Sequence, residues 1–93
     1  MVIGVCTIEL RIHGGRSLKE KRRVLRSVKD RIRNRFNVSI AEVGYQDKWQ
    51  RALLGFVAVS NDRNHVTGLL ESVVSEVESM GVAEIVYDEI EIL

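Results

Sequence analysis

An α+β two-layer sandwich, with one four-stranded antiparallel sheet and two helices on one face, is predicted by three observations. Apolar residues alternate or run together over four stretches in the manner of strands, and they recur at helical spacing over two others. The six segments follow one another as βαββαβ. At 93 residues and 45% hydrophobic, the chain suits a single domain, 1–93, built around one core.

The first strand runs from about Val2 to Ile12. Val2, Cys6, Ile8, Leu10 and Ile12 fall on one face, and Ile3, Val5, Thr7, Glu9 and Arg11 on the other. Such a strand is central, with its second face only partly covered. His13-Gly14-Gly15 breaks the pattern. Ser17 with Glu20 three residues later forms a capping box, the hydroxyl taking an orphan N–H and the carboxylate reaching back. Leu18, Leu25, Val28, Ile32 and Phe36, widened by Val24, then keep helical spacing until Asn37 closes the first helix.

Val38 to Val43 is a short second strand, and Gly44 to Gln50, carrying Tyr45, Asp47, Lys48 and Trp49, is a connecting loop or the tip of a long hairpin. Arg51 to Ser60, the most continuously apolar run, is the other central strand. Asn61 or Asp62 caps a second helix along Val66, Leu69, Leu70, Val73, Val77 and Met80, with Gly81 where a left-handed cap belongs. An acidic strand, Ala83 to Leu93, ends the order. The ferredoxin-like split βαβ sandwich is the arrangement that satisfies it.

Charge is distributed unevenly along this frame. Ten basic residues lie between Arg16 and Arg35 against only Glu20 and Asp30, whereas the span from Asn64 to Leu93 holds seven acids and no Lys or Arg. The net charge of +1 therefore conceals a dipolar molecule. On a helical wheel Lys19, Arg22, Arg23, Arg26, Lys29 and Arg33 share one flank of the apolar stripe. Arg22, Arg26, Lys29 and Arg33 form a ridge about 16 Å long at the α-helical rise, and only Asp30 is placed to neutralise it. Lys21 falls on the apolar side, where snorkelling of its ammonium is the expectation.

The runs LKEKR, FNVSIAE and QDKWQRA, in this order within Ser17 to Asp62, resemble the signature region of the YlxP-like family of small bacterial proteins. The match covers about half the chain, and both flanks agree in length and pattern. The resemblance implies a ferredoxin-like fold and a gene that often lies among those for translation initiation and ribosome maturation. It supplies no catalytic residue. Where the family commonly carries an acidic or polar residue after AEV, this chain has Gly44.

The leading functional expectation is a non-catalytic protein that binds RNA or a ribosomal subunit. Arg16, Lys19, Arg22, Arg23, Arg26, Lys29 and Arg33 would contact the phosphate backbone. Cations on one rigid face release counterions from phosphates and give affinity with little base readout. Arginine's planar fork suits phosphate, and the helix start beside Arg16 and Lys19 offers further N–H donors. The competing reading is solvated surface, or neutralisation of the ridge by the acidic last strand or second helix. An RRM-like mode is not expected, because the first strand has no aromatic residue and the third only Phe56.

Other classes leave weaker marks. A homodimer is expected through the sheet face free of helices, where Ile3 and Val5 on one strand and both faces of Leu53 to Val59 are spare apolar residues. Tyr45 and Trp49 are candidate partner anchors; a loop Trp more often folds back onto its own domain. The loop His13-Gly14-Gly15-Arg16 sits where acylphosphatases bind phosphate, but their longer signature is missing and Asn37 and Asn61 lie at strand ends. Cys6 reads as a core thiol, His13 and His65 make no metal spacing, and Asp88, Glu89 and Glu91 read as an edge that discourages aggregation. No cofactor or metal is expected. No apolar run approaches the roughly 18 residues of a membrane span, and the N-terminus has no basic n-region, so the expected location is the cytoplasm.

Overall fold

The computed structural model describes residues 1–14 and 16–93. Its elements are β1 (Val2–Arg11), α1 (Leu18–Arg35), β2 (Ser39–Gly44), β3 (Arg51–Ser60), α2 (Arg63–Ser79) and β4 (Glu84–Ile92). The strands form one sheet in the order β2-β3-β1-β4, every neighbour antiparallel. This is the ferredoxin-like α+β sandwich. The two long apolar strands take the centre because they alone have enough apolar residues to be covered on one face and paired along both edges.

Alternation decides the faces. Cys6, Ile8 and Leu10 of β1, with Ala52, Leu54, Phe56 and Ala58 of β3, are buried under the helices. They meet Leu25, Val28 and Ile32 of α1 and Val66, Leu70, Val73 and Val77 of α2 in one core. A Cβ at Gly4 would collide with Val66 and Leu70, so that glycine sets how closely α2 seats on β1. Helix α2 covers β1, β3 and β4, while α1 lies over β2. Among the described residues, no helix lies on the opposite face of the sheet.

Helix ends follow local chemistry. Ser17 Oγ accepts the Glu20 N–H at 3.1 Å, and Glu20 Oε2 accepts the N–H of Arg16 at 2.9 Å, one residue earlier than a simple capping box requires. The C-cap of α1 is Phe36, not Asn37: its extended backbone ends the helix while its N–H still bonds Ile32. Of the two candidate caps for α2, Asp62 is the one used, accepting from the N–H groups of Asn64 and His65. Gly81 follows α2 with φ of 67°, the left-handed conformation that suits glycine.

Two bulges adjust the sheet edges. On β2, Glu42 pairs with Leu54 and Gly44 with Leu53, leaving Val43 extra; on β4, Tyr87 pairs with Glu9 and Ile85 with Leu10, leaving Val86 extra. At Gly44 a Cβ would stand 3.0 Å from Leu53, so the residue after the AEV run closes onto β3 at the end of the strand.

Candidate nucleic-acid interface

Lys21, Leu25, Val28 and Ile32 occupy positions i, i+4, i+7 and i+11 of α1 and are its buried face. Arg22, Arg26, Lys29 and Arg33 repeat the same spacing one residue on, about 100° round the helix. The packing that buries the first row therefore fixes the second row at the margin of the core, beside the edge strand β2. Together with Leu25, Asp30 and Glu42, that row lines a cleft of about 310 Å³. A second hollow of about 210 Å³, lined by Lys19, Arg22, Arg23 and Arg26, continues it toward the start of the helix through the shared Arg22 and Arg26.

The distinction that matters is which cations are held. Arg31 Nε lies 2.7 Å and Arg35 Nη1 2.6 Å from the two oxygens of Glu76 on α2. Burial pushes the Glu76 carboxyl up, but the two guanidiniums outweigh it and hold it below the usual carboxylate range. Arg51 is bound to Glu9 at 2.6 Å and Arg11 lies 3.8 Å from Glu84. Among the described residues, none of the side-chain cations of Arg16, Lys19, Arg22, Arg23, Arg26, Lys29 and Arg33 lies within 4.0 Å of a carboxylate. Asp30 lines the cleft without closing on any of them. Arg33 has only a long contact, 3.5 Å, from Nη2 to the Ile40 carbonyl.

Neutralisation of the ridge from within the fold is thus not what the acids do. Strand β4 sits at the far edge of the sheet from β2, and Glu76 of α2 reaches Arg31 and Arg35 on the other flank of α1. The basic row and the acidic strand are kept apart by the width of the sheet.

Lys21 does not snorkel. Its side chain is 1% exposed, with Nζ 2.8 Å from Glu42 Oε2 and donating to the Tyr45 carbonyl at 2.6 Å. The approach to Glu42 Oε2 is close but off the line of a directed N–H bond, so that buried oxygen is held by charge. The same Tyr45 carbonyl accepts the Lys48 N–H at 3.0 Å. LKEKR, FNVSIAE and QDKWQRA accordingly meet at one point: Lys21 from the first, Glu42 from the second, and the turn containing Lys48 from the third. Sequence reasoning missed this pair, although Lys21 sits in the apolar register of α1 and Glu42 shares the inward face of β2 with Ile40.

Tyr45 and Trp49 are placed differently. Tyr45, with φ of 58°, turns its ring under Arg51, whose guanidinium carbon lies 4.2 Å from the ring centroid. The Tyr45 hydroxyl also accepts from Arg51 at 3.1 Å. Trp49 does not fold back: it is 51% exposed at a loop hollow of about 470 Å³ formed with Asp47, Lys48, Gln50 and Arg51.

The remaining chemistry-bearing residues are placed as follows. Phe56 is 0% exposed on the helix-covered side, so neither central strand offers a ring for base stacking. Burial, and secondarily the charge of Asp88, pushes the Cys6 thiol up to about 11, which keeps it protonated at neutral pH. Asp88 pairs beside Ile8 on the helix side, whereas Glu89 and Glu91 pair beside Thr7 and Val5 on the open side, so the three carboxylates do not converge. Gly14 adopts φ of 71°; Gly15 of the same loop lies outside the described residues. No helix among the described residues is long and apolar enough to cross a membrane.

Comparison with known proteins agrees with the three motifs. Residues 3–90 match the family described as "Protein of unknown function (DUF503)". The "Uncharacterized protein YlxP" of Bacillus subtilis (strain 168) is 45% identical over 78 residues, 84% of this chain and 85% of that protein. A crystal structure of a protein designated a chlorite dismutase superposes on 99% of this chain with a TM-score of 0.52 at 14% identity. This chain spans 44% of that one, and the likeness is one of fold.

Proposed function

The chain belongs to the family of proteins of unknown function DUF503, and we propose that it is a non-catalytic, RNA- or ribosome-associated protein that grips phosphate backbone in the cleft along α1. The observation that carries this reading is selective: Arg31 and Arg35 are tied to Glu76 and Lys21 to Glu42, while the side-chain cations of Lys19, Arg22, Arg23, Arg26, Lys29 and Arg33 on the other flank, and of Arg16 before the helix, remain unpaired among the described residues. Clustered like charges raise the free energy of the fold unless something else meets them. A polyanion would meet them, with Arg22, Arg26 and Arg33 offering planar forks and Lys29 a point charge along a rigid line.

Recognition of this kind is electrostatic and led by shape. The absence of exposed aromatics on β1 and β3 removes base stacking from the two central strands, and a row of cations on one helix reads backbone and not base edges. Membership of a YlxP-like family supports ribosomal RNA as the first polyanion to test, through the gene context that resemblance implies.

The deciding experiment is a salt titration of binding between the purified protein and ribosomal RNA or isolated subunits. Four neutralised phosphates give log affinity against log salt a slope of about −3. Replacing Arg22, Arg26 and Arg33 with Glu should abolish retention with the circular dichroism spectrum unchanged. Retention equal to the parent would rule out the cleft as the binding surface.

A further inference from the structure

The face of the sheet that carries no helix is divided into three zones. Ile3 and Val5 of β1, Val57 and Val59 of β3, and Leu93, whose N–H bonds the Ile3 carbonyl, crowd one end. Val57, Val59 and Leu93 are exposed there. Thr7 and Gly55 pair at the middle, with Ala41 next to Gly55. Arg51, bound to Glu9, and Arg11 occupy the other end. Along the β4 margin stand Tyr87, Glu89 and Glu91, the Tyr87 hydroxyl donating to Glu89 at 2.6 Å.

From this pattern we infer that the open face is the interface of a two-fold dimer of this chain, with the axis running parallel to the strands between β1 and β3. Area permits it. Strands of 10, 6, 10 and 9 residues, at about 3.3 Å per residue and about 4.8 Å apart, project a face of about 550 Å². Two copies then contribute about 1,100 Å², above the roughly 1,000 Å² that a specific interface needs, before the height of the side chains is added.

Charge and apolarity select the axis. A two-fold axis across the strands would lay the Ile3–Val59 end on Arg11 and Arg51 of the second copy, and the acidic β4 margin on its own counterpart. Both arrangements cost free energy, one by desolvating charges against apolar surface and the other by repulsion. An axis along the strands stacks the apolar ends on each other. It also sets Glu89 and Glu91 over the β2 margin of the second copy, where Ser39, Ala41 and Val43 bring no charge. In the middle Thr7 and Ala41 are small and Val43 lies over Gly55, a low apolar surface on which the sheets can approach to about 10 Å, in the aligned packing that sheet twist produces. Since both helices lie on the other side of the sheet, the dimer leaves two basic clefts facing outward, and it stands whether or not those clefts bind RNA.

The test is the mass of the full chain by light scattering between about 1 and 100 μM, with spin-label distances on the dimer. Twice the chain mass of 10.6 kDa is expected, with Val57→Asp or Val59→Asp giving the monomer mass and an unchanged circular dichroism spectrum. A label on Asn61→Cys reports the axis, because the native Cys6 is buried and stays unlabelled. Labels about 20 Å apart or closer fit an axis along the strands, and about 40 Å, from the rise along two half-strands, would overturn it. A monomer mass at every concentration, or a dimer that survives both Asp variants, would overturn the interface itself. So would a dimer that dissociates when Arg22, Arg26 and Arg33 are replaced by Glu.

Discussion

Helix α1 has two basic flanks that look alike in composition and differ in company. On the flank toward α2, Arg31 and Arg35 share the carboxylate of Glu76; at the core, Lys21 is enclosed with Glu42. On the flank toward β2, Arg22, Arg26, Lys29 and Arg33 line an open cleft and, among the described residues, none of their charges is within 4.0 Å of a carboxylate, although Asp30 and Glu42 share its lining. The difference teaches that the number of cations on a helix says little about purpose. What matters is whether the fold supplies their counter-charges, because a cation that is already paired is structural and one left unpaired has its interaction free energy still to give.

The sharpest way to break the contrast is at the buried cation. Lys21→Met leaves Glu42 enclosed without its partner and should cost about 3–5 kcal/mol of folding stability, read as a lower midpoint in urea. Affinity for RNA per folded molecule should be unchanged. If stability holds and binding falls, Lys21 belongs with the ridge. Lys21→Met combined with Glu42→Leu should recover much of the loss, because an apolar pair of similar volume removes both stranded charges.

Reversal of Arg22, Arg26 and Arg33 to Glu is the complementary experiment, with binding lost and the urea midpoint close to the parent's, since surface charges without partners contribute little to stability. The single change Arg26→Ala should act more gently. It removes about one unit from the salt slope and weakens all sequences alike, the behaviour of a phosphate contact; a change confined to one sequence would instead mark a base contact.

The smallest effect is expected at the tied flank. Glu76→Gln frees Arg31 and Arg35 and should lower the thermal midpoint modestly at neutral pH while leaving the salt slope intact. Because the folded state holds this carboxyl below its ordinary value near 4.5, its contribution is present above that value and is lost as the pH falls through the lower folded one. The gap between parent and variant should therefore close on acidification. A steeper slope for Glu76→Gln would show that the released arginines join the binding surface, and would widen the interface to both flanks.

How much of this was legible in the chain can be judged element by element. Alternation in Val2 to Ile12 and the apolar run from Arg51 to Ser60 identified the two central strands, since a period of two admits only one way to divide faces. Helical spacing found α1 and α2, and the caps were visible within a residue because Ser17, Asp62 and Gly81 act on their own neighbours. Six of the seven cations were legible for the same reason: a wheel places them on one flank, with Arg16 just before the helix start. Lys21 was misread because its spacing marked it as inward, yet a lone ammonium on an apolar face is unfavourable and snorkelling is the local remedy. Glu42, which makes burial possible, lies on another element. Whether Trp49 stands exposed or folds back onto the domain was not legible either, since nothing in a loop sequence says whether the sheet end leaves room beneath a ring.

The sequence by itself therefore determined the periodicities, the caps, the order βαββαβ and the segregation of basic from acidic residues, all of which depend on neighbours within a few positions along the chain. Only the tertiary structure decided which charges are satisfied: Glu76 with Arg31 and Arg35, Glu42 with Lys21, and β4 at the sheet edge remote from α1. The physical reason is range. Local preferences act through bonded geometry and one or two turns, whereas the energy of an ion pair depends on distance and burial, and residues 21 to 45 positions apart acquire both only when the sheet and helices have packed.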